Sequence, residues 1–172
     1  GAAEKPLLGM TIGERLDRTA EQHPDTEALV CLHQDIRWTY KEFVEKVDEA
    51  ARAFMAIGIK RGDRVGIWSP NRYEWTVTQF ATAKVGAILV NINPAYGMHE
   101  LQYALNLAGI TTLVTADSFK ASNYREMIFE LAPELKRSAP GKLKADHVPE
   151  LRTVINVHED KHEGMRTWKE FL

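Results

Sequence analysis

The sequence predicts an α/β protein: a mostly parallel sheet with helices on both faces, preceded by a helix and a β-hairpin. Three observations carry this. From residue 64 onward, short apolar runs alternate with helix-periodic segments, as parallel strands joined by crossover helices do. The strands in that part are short and apolar, which suits a sheet covered on both faces. Upstream, two strand-like runs are separated only by His33-Gln34-Asp35, a hairpin spacing.

The elements follow in order. Thr11 with Glu14 three residues on has capping-box spacing, and Ile12, Leu16, Thr19, Ala20 and His23 share one face of the helix that follows. Pro24 ends it. Residues 28–32 and 36–39 are the hairpin strands. Phe43, Val47, Ala50, Ala51 and Phe54 make the apolar stripe of a second helix, with Gly58 where a C-terminal cap belongs. Residues 64–68 form an apolar strand, and Ser69-Pro70-Asn71 a turn with capping residues. A helix then runs to about Val85, with Tyr73, Val77, Phe80, Ala81 and Val85 as its core stripe. Residues 87–91 are the next strand and 98–108 the next helix, with Leu101, Leu105 and Ala108 inward and Gly109 as its stop. After the strand 112–115, a helix opens at Asp117 or Ser118 and turns Tyr124, Met127, Ile128 and Leu131 to one side. The polar stretch 133–150 is expected as a solvated connection. Residues 153–157 form a fourth strand of the alternating part, and 167–172 start another helix.

Composition narrows the function. The 172 residues carry 22 Lys+Arg against 24 Asp+Glu, a net charge of -2, with 44% hydrophobic and 27% charged residues. That balance offers no field for a polyanion, so no nucleic-acid partner is expected. One cysteine, Cys31, excludes an internal disulfide framework and fits a reducing compartment. No apolar run reaches the ~20 residues that span a bilayer, and the start lacks a hydrophobic signal core. Residues 1–10 are expected to be a tag remnant or disordered start. The expected location is cytoplasmic, with the mitochondrial matrix as the alternative.

Several motifs tempt. His158-Glu159-Asp160-Lys161-His162 satisfies H-E-x-x-H, whose zinc chemistry needs a buried helix presenting both imidazoles on one face. Here the segment follows a strand, holds no apolar residue and soon meets Gly164, which fits a charged surface loop. The eleven glycines form neither G-x-x-x-x-G-K nor G-x-G-x-x-G. The serines lack a nucleophile-elbow pattern. No catalytic residue and no metal ligand is therefore assigned. One physical oddity remains. Trp75 lies opposite the core stripe of its helix, beside Thr78, Gln79 and Thr82, and no charge stands between Glu74 and Lys84. A surface helix normally carries charge on its outer face, so these four residues are expected to meet protein mass outside this chain. Tyr103 and Leu107 give the next helix a weaker stripe of the same kind.

Trp38-Thr39-Tyr40-Lys41-Glu42-Phe43 resembles the L-T-Y-x-E-L motif of the acyl-adenylate-forming (AMP-binding) superfamily. The run from Gly62 to Asn71 resembles its G-D-R-V-A-I-x-x-x-N strand and turn, and that from Lys84 to Pro94 its K-x-G-A-x-x-V-x-x-N-P. Each is weak alone; three in order and register are specific, and the similarity spans residues 11–172. The Asn93-Pro94-Ala95-Tyr96 version is most similar to medium- and long-chain fatty-acyl-CoA synthetases.

The resemblance implies residues 11–172 as part of the N-terminal subdomain of such a ligase. The parent enzyme would use ATP, CoA and Mg2+ to turn a fatty or other carboxylic acid into acyl-AMP and then a thioester. The family's phosphate loop, Tyr-Gly-x-Thr-Glu segment, ribose-binding aspartate and C-terminal lysine are not in this sequence. The implied role is thus one wall of the cleft, completed by remaining domains of the same polypeptide and inactive in isolation, with Tyr96 and Lys120 as candidate contacts to the nucleotide end of CoA. Two alternatives stand beside it: a non-catalytic α/β binding or regulatory module, and an adenylating enzyme for an amino or aryl acid.

Overall fold

The computed structural model describes residues 7–172; the first six residues of the expected disordered start lie outside the described residues. The chain begins with α1 (Ile12–Gln22), the hairpin β1 (Glu27–Cys31) and β2 (Ile36–Thr39), and α2 (Tyr40–Ala56). The alternating part follows: β3 (Arg64–Trp68), α3 (Tyr73–Val85), β4 (Ile88–Asn91), α4 (Met98–Ala108) and β5 (Thr112–Thr115). A small hairpin, β6 (Ser118–Phe119) and β7 (Ser122–Asn123), precedes α5 (Tyr124–Leu131). The last elements are β8 (Thr153–Asn156), β9 (Arg166–Thr167) and α6 (Trp168–Phe171). No helix of the described residues is long and apolar enough to cross a membrane.

The local chemistry explains the element starts. Thr11, Thr39 and Thr167 each accept a hydrogen bond from the N–H three residues on, while Glu14, Glu42 and Glu170 reach back to the cap N–H, completing capping boxes. Helix α3 is capped differently. Arg72 provides no side-chain cap; the N–H of Tyr73 donates instead to Gln34 Oε1 at 2.9 Å, from the turn of the distant hairpin. Sequence reasoning placed that cap on Ser69 or Asn71 because it sees only neighbours along the chain.

The five-stranded sheet is parallel throughout, in the order β4-β3-β5-β8-β9. The step from β3 to β4 moves one way along the sheet and the step from β4 to β5 the other. Right-handed crossovers therefore put α3 and α4 on opposite faces. Helices α1 and α2 pack with α3, and α5 with α4. The expected fold class is the observed one.

Three local expectations are corrected. Asp117 and Ser118 do not open a helix; β6 and β7 intervene, and Asn123 caps α5 by accepting from the N–H of Glu126. The stretch 133–150 is not simply solvated: a 3-10 turn covers Pro133–Arg137, and Leu135, Leu143, Ala145 and Val148 are buried. Its charges face water while single aliphatic residues anchor it, a pattern without helix or strand period. Finally, β9 was too short to register as a strand.

Candidate functional site

Open parallel sheets bind ligands where the connections from adjacent strands leave toward opposite faces, beyond the strands' C-terminal ends. Here that point lies between β3 and β5. Register brings Trp68 level with Thr115, and Thr115 level with Asn156, so the turns after Trp68, Thr115 and Asn156 leave the sheet side by side.

The core beneath these turns is aromatic. Trp68 and Tyr124 stack with ring centroids 3.5 Å apart and planes 11° from parallel. Both then reach for the turn after β4: Trp68 Nε1 donates to the carbonyl of Asn93 at 3.1 Å, and the Tyr124 hydroxyl donates to that of Pro94. Asn93 Oδ1 accepts from the N–H of Ala95, closing the turn. Two buried aromatic rings thus fix the position of Asn93-Pro94-Ala95-Tyr96. Burial pushes the Tyr124 phenol up to about 12.

Tyr96 stands at the exposed end of this turn. Lys120 is at the tip of the β6–β7 hairpin, which follows β5, and β3 lies between β4 and β5 in the sheet. Its φ of 52° is unusual for a lysine, and its ammonium sits 5.3 Å from the Phe119 ring centroid. Among the described residues it has no carboxylate partner. Both candidate contacts therefore lie at the C-terminal end of the sheet, exposed and on turns.

The same strand ends also carry a polar cluster that sequence reasoning missed. Asp117 accepts from the Asn156 side-chain amide, and lies 3.4 Å from His162 Nε2 and 3.9 Å from His158 Nδ1. The two histidines noticed as a motif do converge, but on a carboxylate from another strand. Residues 157–162 are bend and coil rather than the helix a two-histidine zinc site uses. Among the described residues, no group of three or more His, Cys, Asp or Glu side chains is placed to hold a metal ion.

The Trp75 face of α3 divides. Thr78 is 0% and Thr82 1% exposed, so this chain itself already encloses them, and Thr78 has no surface to offer another body. The expectation failed there because threonine is short enough to bury and Thr82 returns its hydroxyl hydrogen to the Thr78 and Gln79 carbonyls. The buried stripe of α3 therefore runs through Glu74, Val77, Thr78, Ala81 and Thr82. Trp75 is half-buried and Gln79 exposed. Glu74, 2% exposed, is held by Gln34 and Arg72.

The comparisons with known proteins decide the family. The AMP-binding enzyme family model matches residues 16–169. The chain belongs to the AMP-binding enzyme family. It is 44% identical to the mouse mitochondrial medium-chain acyl-CoA ligase ACSF2 over 157 residues, which is 91% of this chain and 26% of that protein. The zebrafish protein of the same name is 43% identical over 155 residues, 90% of this chain and 26% of that protein. The chain thus spans about a quarter of the length of these relatives. Among solved structures, a Mycobacterium tuberculosis fatty acyl CoA synthetase is 25% identical with a TM-score of 0.71, covering 85% of this chain and 26% of that one. The anthranilate CoA ligase AuaEII, 20% identical, shares the fold with a TM-score of 0.79 over 98% of this chain and 28% of its own.

In this AMP-binding chain, the three sequence motifs fall on structurally distinct tasks. Trp38 packs edge-on against Tyr73 at 5.0 Å, Thr39 caps α2, and Glu42 completes the box. Gly66 in β3 is closely packed: a Cβ there would lie 3.0 Å from the Ile110 side chain and 3.3 Å from that of Ile92, so both would have to shift slightly. Asn93-Pro94 is the turn that Trp68 and Tyr124 hold.

Proposed function

We propose that this chain forms one wall of the substrate cleft of an acyl-CoA ligase acting on a medium-chain carboxylic acid. The observation that carries the proposal is the 44% identity to a medium-chain acyl-CoA ligase across 91% of the chain. In such a reaction a carboxylate attacks ATP to give acyl-AMP and pyrophosphate. The CoA thiol then displaces AMP, forming the thioester.

The residues here divide by which cofactor they suit. The sequence holds no glycine-rich phosphate loop, and the remaining domains of the same polypeptide are proposed to supply the ATP and Mg2+ contacts. CoA fits better. Lys120 offers an exposed ammonium without an acidic partner, suited to a phosphate of the CoA nucleotide. Tyr96 offers a phenol face 36% exposed on a turn that the core holds still. Gln79 and Trp75 of α3 are the points at which the remaining domains of the same polypeptide would meet this wall.

The test uses the full-length protein. It should form acyl-CoA from a medium-chain acid only with ATP and CoA together. Lys120→Ala should raise KM for CoA several-fold while leaving ATP–pyrophosphate exchange unchanged. Thioester formation without ATP, or an exchange rate that falls with the CoA affinity, would overturn the assignment.

A further inference from the structure

One buried residue is bonded to both of the turns that carry the candidate CoA contacts. Tyr96 stands on the turn after β4 and Lys120 on the hairpin after β5, and in the sheet β3 lies between those two strands. Tyr124, the first residue of α5, reaches the two turns through different groups. Its main-chain N–H donates to the carbonyl of Asp117 at 2.9 Å, which closes the loop that holds β6, Lys120 and β7. Its hydroxyl donates to the carbonyl of Pro94, in the turn that carries Tyr96. Between these ends its ring lies flat on Trp68, the last residue of β3.

Packing alone does not call for the hydroxyl. Tyr124 is 0% exposed, and a buried hydroxyl costs free energy unless it is hydrogen-bonded. A phenylalanine would stack on Trp68 with the same ring face. What the oxygen adds is the bond to Pro94. Proline has no N–H, so its carbonyl is the only main-chain group by which it can be held. Among the described residues, Tyr124 is the one donor that reaches that carbonyl. The rest of the turn is tied through Asn93: its carbonyl accepts from Trp68 Nε1 and from the N–H of Tyr96, and its Oδ1 accepts from the N–H of Ala95. Without the phenol, the core holds this turn by Trp68 alone.

We propose that Tyr124 is a positioning residue for the CoA nucleotide, a strut whose hydroxyl sets where Tyr96 stands relative to Lys120. The inference rests on the assignment of Tyr96 and Lys120 to CoA, and adds to them a residue that touches neither the nucleotide nor the reacting atoms. Removing the hydroxyl loosens one turn and leaves the other, because the hairpin is tied by a main-chain N–H that every residue except proline supplies. Tyr124→Phe therefore acts through Tyr96.

In the full-length protein, Tyr124→Phe should raise KM for CoA about fivefold, the effect of one lost hydrogen bond. KM for ATP and for a medium-chain acid, and kcat at saturating CoA, should stay within about twofold. Double-mutant cycles locate the effect. Added to Tyr96→Ala, the change should raise KM for CoA no further; added to Lys120→Ala, the two factors should multiply. Hydrogen exchange gives a readout that needs no CoA. The Tyr96 amide should exchange faster in Tyr124→Phe, while the amide at position 124, bonded to Asp117, keeps its rate, and Val65 and Ile67 exchange reports that the variant is folded. An unchanged KM for CoA, an equal rise in KM for ATP, an unchanged Tyr96 amide, or a factor that multiplies with Tyr96→Ala would overturn the proposal. If Tyr96→Ala itself leaves KM for CoA unchanged, the CoA reading of Tyr96 fails and the proposal with it. A rise in Tyr96→Ala without one in Tyr124→Phe overturns the strut alone.

Discussion

The two faces of the sheet are built on different chemistry. On one face α3 buries a carboxylate and two threonines, and Lys84 at its end pairs with Asp17 of α1 and Asp48 of α2. On the other, α4 buries Leu101 and Leu105 and leaves Tyr103 and Leu107 67% and 71% exposed. The α4 side is an amphipathic helix on a sheet. The α3 side is a helix enclosed nearly all round, whose Glu74 carboxylate and Lys84 ammonium find partners on other elements. Aliphatic packing tolerates many neighbours, whereas a polar network works in one arrangement. The α3 layer therefore fixes how α1, the hairpin and α2 sit on the sheet.

The largest expected effect is on the aliphatic side. Leu105→Ala or Leu101→Ala should cost about 3 kcal/mol in denaturant unfolding; a cost near zero would mean that α4 does not carry core. Next comes Glu74→Ala, which strands Arg72 and the Gln34 amide and should cost about 2 kcal/mol, Arg72 being near enough to water to recover part of its solvation. Glu74→Gln, which keeps an acceptor, should cost less.

Each face also contributes one buried phenol, and the pair sharpens the contrast. Tyr73 and Tyr124 are both pushed from 10.0 to about 12, Tyr124 by burial alone and Tyr73 by burial first and then by the Glu74 charge. The unfolded chain releases these protons first as pH rises. Their stabilisation is therefore complete below pH 10 and is lost as pH climbs toward 12. Tyr124→Phe and Tyr73→Phe should each flatten that alkaline loss, and only the Tyr73 share should shrink in Glu74→Gln.

The smallest effects separate the two outer surfaces. Thr78 Oγ1 is buried without a hydrogen-bond partner, so Thr78→Val should be neutral or stabilise by up to about 1 kcal/mol. Tyr103→Ser on α4 should change stability by less than about 0.5 kcal/mol. A large loss for Thr78→Val would reveal a hydroxyl partner.

This contrast also marks what sequence could reveal. Helix α4 was legible because Leu101 and Leu105 follow helical period and Gly109 stops it. The capping threonines were legible because a cap lies three residues from its partner. Helix α3 was recognised as a helix, but its buried face was misassigned: Thr78 and Thr82 count as polar on any scale, and only the sheet beneath them shows that they are enclosed. The site was legible in the same uneven way. The turn at Asn93-Pro94 could be read, while the Trp68–Tyr124 stack that holds it joins residues far apart in the chain. Asp117, His158 and His162 converge only through the pairing of β5 with β8. Contacts of that kind leave no periodic trace.

The proposed function implies a division of labour, in which this chain would position and the rest of an AMP-binding enzyme would react. ATP–pyrophosphate exchange with a medium-chain acid measures it most directly, comparing the 172-residue chain with the full-length protein at equal concentration. Exchange by the full-length protein alone is the expected result; exchange by the isolated chain at a similar rate would contradict it.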